Sequence, residues 1–175
     1  LVYFNIYPYA EPIKMLMAHR GLDWHYHMPW DFFGKAWDEA KPEVAFGELP
    51  VLVIDGTYML WESAAILRYL ADGTPLVPSD ARTRARADAI LDSTKRFVMP
   101  VDATVNIRQG NRFEEEKAEA LKKMPEMLAP FLRELEQSGG PFFLGASPAI
   151  CDFAFFHHLD MMLLLDTALC DQHSN

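Results

Sequence analysis

Short apolar runs alternate with amphipathic segments in the first half of the chain. The spacing of apolar residues predicts strands at 1–6, 24–28, 51–54 and 58–60, and helices at 11–21 and 63–71, with a short helix or irregular loop at 31–40. Asp55-Gly56 lies between the last two strands and is typical of a hairpin turn. The predicted order is β-α-β-α-β-β-α, ending near residue 73.

The second half is predicted to be helical throughout. Two prolines within 74–78 indicate a linker, and Ser79 is a candidate N-cap for the helix that follows it. Long helices are expected at 80–106 and 113–137, and a third at 148–165 that is apolar nearly all round and should therefore be buried. The pattern predicts an α/β domain at 1–73, a linker at 74–78 and an all-α domain at 79–175.

Composition narrows the class of protein. Half of the 175 residues are hydrophobic, which is enough for a sizeable core, and the net charge of −9 argues against a nucleic-acid partner. The late apolar run at 153–169 is interrupted by His and Asp, so no membrane span of about 20 residues is predicted. Cys151 and Cys170 form no C-x-x-C pair, which favours a reducing compartment such as the cytoplasm.

Other chemistry-bearing residues give weaker signals. His25 and His27 would share a strand face, but no third metal ligand is near them in sequence. His157 and His158 are adjacent on a helix and would point about 100° apart, so no metal site is expected there. Cys151 is predicted to be a core residue rather than a nucleophile.

Several segments together resemble the glutathione-transferase family. They are Tyr3-Phe4-Asn5, residues 46–56 (FGELPVLVIDG) and residues 61–71 (WESAAILRYLA), with Asp88…Asp92 and Gly145…Asp152-Phe153 in the helical part. The Tyr-Phe pair and the Trp37…Lys41…Phe46-Gly47 spacing look most like the sigma class. The resemblance covers essentially the whole chain and implies a thioredoxin-like N-terminal domain followed by an all-α C-terminal domain, the family's last helix being absent from the sequence.

The resemblance also implies an activity, the conjugation of glutathione, as co-substrate, to a small hydrophobic electrophile. The electrophile would lie between the domains, near Phe4, Ile6 and Met99. A free thiol with pKa about 8.5 is only about 3% ionised at pH 7, and lowering its pKa by about 2 units needs about 2.7 kcal/mol. One hydroxyl donor supplies energy of this order. The resemblance assigns that donor to Tyr3; the alternative is an ordinary strand tyrosine.

The resemblance assigns the peptide-binding residues as well. Pro50 is expected to be cis, so that the backbone of Leu49 pairs with glutathione like an added strand. Glu62 and Ser63 begin a helix whose free N–H groups suit a carboxylate, although a plain capping pair would use the same groups.

Trp37 and Lys41 lie one helical turn apart and match positions that hold the glycyl carboxylate. A packing tryptophan and a solvated lysine are the alternative for this pair.

Three charge differences separate this chain from the family pattern. Tyr9 replaces a basic residue near the catalytic tyrosine, and Glu48 replaces another basic residue. Arg96 falls near the position where a partner subunit lends an acidic residue, although Glu62 supplies a carboxylate from within. The reversed charges at Glu48 and Arg96 favour the alternative hypothesis, a non-catalytic structural or assembly subunit of a larger complex.

A homodimer or a larger assembly is also expected. The family's partner contact follows the first long helix, and five cations give this helix a basic stripe on an acidic protein: Arg82, Arg84, Arg86, Lys95 and Arg96. Such a stripe suits an acidic surface of another subunit.

Overall fold

The computed structural model describes residues 1–106 and 110–166, with backbone alone at 97–103 and 105–106. The chain forms two compact units, Leu1–Asp72 and Gly73–Asn175. No helix in the described ranges is both long and apolar enough to cross a membrane.

The first unit places short helices around a small sheet. Its elements are α1 Glu11–His19, α2 Pro29–Phe33, α3 Trp37–Ala40, two 3-10 turns at Lys41–Glu43 and Ala45–Gly47, β1 Leu52–Ile54, β2 Tyr58–Leu60 and α4 Ser63–Ala71. Strands β1 and β2 are antiparallel, with Leu52 opposite Leu60. The predicted hairpin turn is confirmed, because Asp55 (φ 51°) and Gly56 (φ 74°) both adopt the left-handed backbone that such turns require.

The first two predicted strands are much shorter than the sequence indicated. Val2 alone bridges to His27 in parallel and to Val51 in antiparallel orientation. The predicted strand at 1–6 stops early because the Ile6 N–H donates to the Phe4 carbonyl at 2.8 Å, which turns the chain back on itself. The predicted strand at 24–28 ends where Pro29 begins α2.

The second unit consists of three described helices, α5 Ala81–Asn106, α6 Asn111–Ser138 and α7 Ile150–Leu163. Helix α5 packs against both of the others. The predicted cap at Ser79 is wrong by one residue. Asp80 caps α5, since its carbonyl accepts from Arg84 N–H at 2.9 Å and its carboxylate accepts from Thr83 N–H at 2.8 Å. These hydrogen bonds lower the pKa of Asp80.

Helix α7 is the buried helix that the sequence predicted, with eight buried residues among fourteen. Its first turn is held by Asp152, whose carboxylate accepts from the N–H of Ala149 at 2.8 Å and of Phe143 at 3.0 Å. Phe143 in turn contacts Phe131 and Phe155, with ring centroids 6.3 and 5.0 Å away. Asp152 therefore joins the helix start to the aromatic core of this unit.

Candidate functional site

A cluster of three buried valines brings the candidate residues of the first unit together. Val2, Val44 and Val51 form its centre, and Trp37, Leu49 and Trp61 are among the half-buried side chains packed against it. The other candidates adjoin the cluster along the chain: Tyr3 follows Val2, Pro50 precedes Val51, and Glu62 and Ser63 follow Trp61. Residues up to sixty positions apart in sequence thus surround one small core.

Tyr3 lies where the first extended segment ends. It is 3% exposed, and its N–H donates to the His27 carbonyl at 3.2 Å. The next residue, Phe4, contacts the Tyr3 ring at a centroid distance of 6.2 Å and meets Trp37 edge-on at 5.8 Å. Phe4 therefore connects Tyr3 to Trp37, a second candidate residue.

The loop before β1 has the expected geometry. The Leu49–Pro50 peptide is cis, as the sequence predicts, and Pro50 is buried. Within the described ranges, no hydrogen bond uses the main-chain N–H or C=O of Leu49. Both groups are available to an extended peptide.

Helix α4 starts at Ser63, as predicted, and no side chain caps it. The first hydrogen bond of the helix runs from the Ile66 N–H to the Glu62 carbonyl at 2.9 Å. The N–H groups before Ile66 therefore have no intrahelical partner. Glu62 is exposed and adopts φ 64°, a left-handed backbone uncommon outside glycine. This helix start can accept a carboxylate.

Trp37 and Lys41 bracket the shortest helix. Trp37 is the first residue of α3, and Lys41 follows its last residue, so the pair lies about one turn apart as expected. The Lys41 side chain lies across Gly47, where a Cβ atom would come within 3.0 Å of Cε and where φ is 59°. Glycine at 47 therefore allows the exposed lysine to lie along the loop.

The three residues that differ in charge from the family pattern occupy different surroundings. Glu48 is exposed next to Gly47, and Tyr9 is half-buried just before α1. Arg96 lies on α5 in the second unit and lines a groove there of about 670 Å³. Met99, which was expected to line the electrophile pocket, lies outside the described side chains.

The groove of the second unit has an apolar floor and a charged rim. Its floor consists of Ala89, Ile90, Met127, Pro130 and Phe131, and its cations are Arg86, Arg96, Lys123 and Arg133. Arg86 is paired with Glu134 at 2.8 Å. Of the five cations of the predicted basic stripe, Arg86 and Arg96 line this groove, whereas Arg82, Arg84 and Lys95 do not.

Sequence reasoning missed two aromatic residues near the candidates. The Trp61 Nε1–H is buried without a hydrogen-bond partner among the described residues. Phe46 is 77% exposed, adopts φ 65°, and meets Trp61 edge-on at 6.3 Å. Trp61 directly precedes a predicted helix start, which was the available signal; nothing in the sequence marked the exposure of Phe46.

Cys151, His157 and His158 are core residues, whereas His25 and His27 are exposed. Cys151 is fully buried, and burial together with Asp152 raises the pKa of its thiol, so it is a core residue as predicted. His157 and His158 are buried side by side on α7, with ring centroids 5.7 Å apart. No group of three or more His, Cys, Asp or Glu in the described part of the chain is arranged to hold a metal ion.

Known families match both halves of the chain. Residues 8–72 match the glutathione S-transferase N-terminal domain, and residues 102–175 match the glutathione S-transferase C-terminal domain. Glutathione S-transferase P 1 of Xenopus laevis is 31% identical over 170 residues, covering 92% of this chain and 77% of the relative. Hematopoietic prostaglandin D synthase of Gallus gallus is 36% identical over 99 residues, covering 57% of this chain and 48% of the relative.

Solved structures share the architecture. The Pi-class glutathione S-transferase of Onchocerca volvulus superposes with a TM-score of 0.80 at 27% identity, over 98% of this chain and 80% of that one. The expected fold class, a thioredoxin-like N-terminal domain with a small sheet followed by an all-α C-terminal domain, is confirmed. With this fold, and with both family domains matched in order along the sequence, the chain belongs to the glutathione S-transferase family.

Proposed function

We propose that this protein is a glutathione transferase that joins the sulfur of glutathione to a small hydrophobic electrophile. The observation that carries the proposal is the convergence around Val2, Val44 and Val51 of a buried tyrosine, an unpaired main-chain segment and an uncapped helix start. Each supplies one type of interaction that a γ-glutamyl tripeptide thiol needs.

Binding is assigned to the backbone and the helix start. The N–H and C=O of Leu49 pair with the cysteinyl backbone, as in an added strand. The first turn of α4, with the Ser63 hydroxyl, receives the γ-glutamyl carboxylate, and Glu62 accepts from the ligand's amino group. Trp37 and Lys41 hold the glycyl carboxylate at the other end.

Chemistry is assigned to Tyr3. Its hydroxyl donates to the sulfur, which stabilises the thiolate after the thiol proton leaves to solvent. The thiolate then forms a bond to the electrophilic carbon, and the electron pair displaced there leaves with the leaving group or takes up a proton. Glutathione is thus a co-substrate and no further cofactor is needed for this step.

The alternative role, a non-catalytic assembly subunit, is not favoured. The relatives that match most of this chain are named as glutathione S-transferases. Glu62 supplies a carboxylate for the ammonium group of the ligand. Arg96 cannot bind this group, because both are positively charged. The reversal at Glu48 reduces the positive potential around the anionic tripeptide and predicts weaker binding rather than none.

Two measurements on the wild-type protein test the proposal. The protein should be retained on immobilised glutathione and eluted by free glutathione. The ultraviolet thiolate band of bound glutathione should titrate about 2 pH units below that of the free thiol. Retention without a lowered thiol pKa would support the assembly subunit instead.

We further propose a homodimer, with an assembly of more copies as the alternative. The support is complementarity: Phe46 is exposed close to the exposed acid Glu48, and the groove of the second unit has an apolar floor and a rim that includes Arg96. In a dimer, Phe46 of one copy enters the groove of the other. Sedimentation at micromolar concentration should give a dimer that Phe46→Ser dissociates, whereas Tyr58→Ser, at another exposed aromatic residue, should not.

Three finer assignments belong to the same proposal. The sigma-like subtype is supported by the Trp37…Lys41 spacing, and a cytoplasmic location by the absence of cysteine pairing in the sequence pattern. The domain limits at 1–73 and 79–175, with a linker at 74–78, remain predictions. Limited proteolysis between residues 73 and 79 would test the linker.

A further inference from the structure

Several hydrogen bonds join the segment that carries Tyr3 to the neighbouring extended segment, and two of them involve Tyr3 and the residue after it. On one side, the Tyr3 N–H donates to the His27 carbonyl at 3.2 Å. On the other, the Tyr26 hydroxyl donates to the Phe4 carbonyl at 2.6 Å, a side-chain bond between residues 22 positions apart. Tyr3 therefore lies between two hydrogen bonds to consecutive residues, 26 and 27.

The second anchor lies where regular pairing ends. The Phe4 carbonyl also accepts from the Ile6 N–H at 2.8 Å, so the chain turns immediately after this residue. Val2 is the last residue of this segment in a described β-bridge, and the side-chain bond to the Phe4 carbonyl holds the chain two residues further on. Tyr26 thus fixes the backbone that follows Tyr3.

Tyr26 is itself held from α1. The Lys14 ammonium lies over the Tyr26 ring at 4.2 Å from its centroid, and Glu11, one turn earlier, forms an ion pair with Lys14. A series of three contacts therefore runs from the first turn of α1 through Lys14 and Tyr26 to the Phe4 carbonyl.

The Tyr26 hydroxyl keeps its proton, and therefore remains a hydrogen-bond donor, as the pH changes. Burial and the nearby Glu11 raise the pKa of its phenol, so the hydroxyl remains protonated over the whole pH range in which a glutathione thiol titrates. The anchor does not change as the thiol ionises.

From this geometry we infer that Tyr26 is a positioning residue for the reaction: its hydroxyl, bonded to the Phe4 carbonyl, sets the position of the Tyr3 hydroxyl against the bound sulfur. The inference rests on the proposed role of Tyr3. A catalytic group has to be held within about 0.5 Å of its productive position. If the Phe4 carbonyl loses its hydrogen bond to Tyr26, the Tyr3 hydroxyl therefore stabilises the thiolate less well.

The test is Tyr26→Phe, which keeps the ring under Lys14 and removes only the donor. The thiol pKa of bound glutathione should rise by about one unit, and conjugation at neutral pH should fall by about threefold as the thiolate fraction decreases. The dissociation constant for glutathione, measured by calorimetry, should change by less than about twofold, because the binding groups are at Leu49 and Ser63. Tyr58→Phe removes an exposed hydroxyl from the same unit and should leave the thiol pKa unchanged.

A double-mutant cycle separates positioning from general loss of structure. In a Tyr3→Phe background, Tyr26→Phe should add less than about twofold to the loss of rate, since the group it positions is already absent. If Tyr26→Phe lowers the melting temperature but leaves the thiol pKa unchanged, or if the two losses multiply, the inference is wrong. Lys14→Met removes the ammonium group over the Tyr26 ring and should also raise the thiol pKa. If it does not, the inference is contradicted, even where Tyr26→Phe is insoluble and cannot be measured.

The two levels of the proposal fail differently. A wild-type protein with no lowered thiol pKa would overturn the transferase proposal and this inference with it. A wild-type protein with a lowered thiol pKa that Tyr26→Phe does not change would overturn the inference alone.

Discussion

The two units bury aromatic side chains in different ways. In the first unit, three small valines form the centre of one cluster, and half-buried tryptophans and phenylalanines surround that cluster. In the second unit, Phe131, Phe143 and Phe155 are themselves buried between long helices, with ring centroids 5.0 to 6.3 Å apart. The comparison indicates that the first unit leaves tryptophan and phenylalanine rings partly exposed around this cluster, whereas the second unit buries three phenylalanine rings in its interior.

The largest expected effect tests the second half of that comparison. Phe143→Ala removes a fully buried ring from the aromatic core and should lower the free energy of unfolding by about 3–5 kcal/mol. Urea denaturation followed by circular dichroism gives this value. Phe156→Ala, at a 59% exposed ring on α7, is the matched control and should change it by no more than about 0.5 kcal/mol.

The next effect concerns the link between that core and α7. Asp152→Ala leaves the N–H groups of Ala149 and Phe143 without their acceptor and should cost about 1–3 kcal/mol. A loss no larger than that of an exposed-site variant would show that Asp152 does not hold the helix start.

The same residue gives a pH dependence of known sign. Burial raises the pKa of Asp152 above its ordinary 3.8, so the folded state holds this proton more tightly than the unfolded state. Its contribution to stability is then complete below about pH 3.8 and is lost as the pH rises through the folded-state pKa. The stability of wild type minus that of Asp152→Asn should therefore decrease as the pH rises; an increase would contradict the assigned cause.

In the first unit the expected effects are chemical. Tyr3→Phe keeps the buried ring but removes the hydroxyl, so conjugation at neutral pH should fall by about tenfold or more while glutathione affinity changes little. The thiol pKa in the complex should rise toward its free value. An unchanged thiol pKa would show that Tyr3 is not the activating donor.

The smallest effect is expected at the edge of the site. Lys41 is exposed, and an exposed ion pair contributes at most about 1 kcal/mol, so Lys41→Met should weaken glutathione binding by no more than about fivefold. The loss should shrink as salt is added, because salt screens exposed charges. Lys35→Met, at a lysine paired with Glu43, serves as control and should leave affinity unchanged.

Local signals in the sequence predicted most of the elements. Helix α4 was predicted at 63–71 and is found at Ser63–Ala71, because the apolar spacing and the following Asp72-Gly73 both mark its limits. The strand at 1–6 was predicted too long, since a run that makes one bridge at Val2 has the same composition as one that makes a full ladder.

The parts of the site that were not predicted depend on distant contacts. The bond from Tyr26 to the Phe4 carbonyl joins two segments whose relative position the sequence does not encode locally. His25 and His27 are exposed and Tyr26 is half-buried, an alternation that the sequence pattern predicts for a strand. The pattern does not predict which group accepts the hydrogen bond of the Tyr26 hydroxyl. The packing of Trp61, with its buried Nε1–H, likewise required the fold.

The distribution of tryptophan has an optical consequence. All four indoles, at residues 24, 30, 37 and 61, belong to the first unit, so tryptophan emission reports on that unit alone. Far-ultraviolet ellipticity arises mainly from the second unit, whose helices α5, α6 and α7 have 26, 28 and 14 residues. One denaturant titration read at both wavelengths therefore follows the two units separately, and midpoints that coincide would show that the chain melts as one cooperative body.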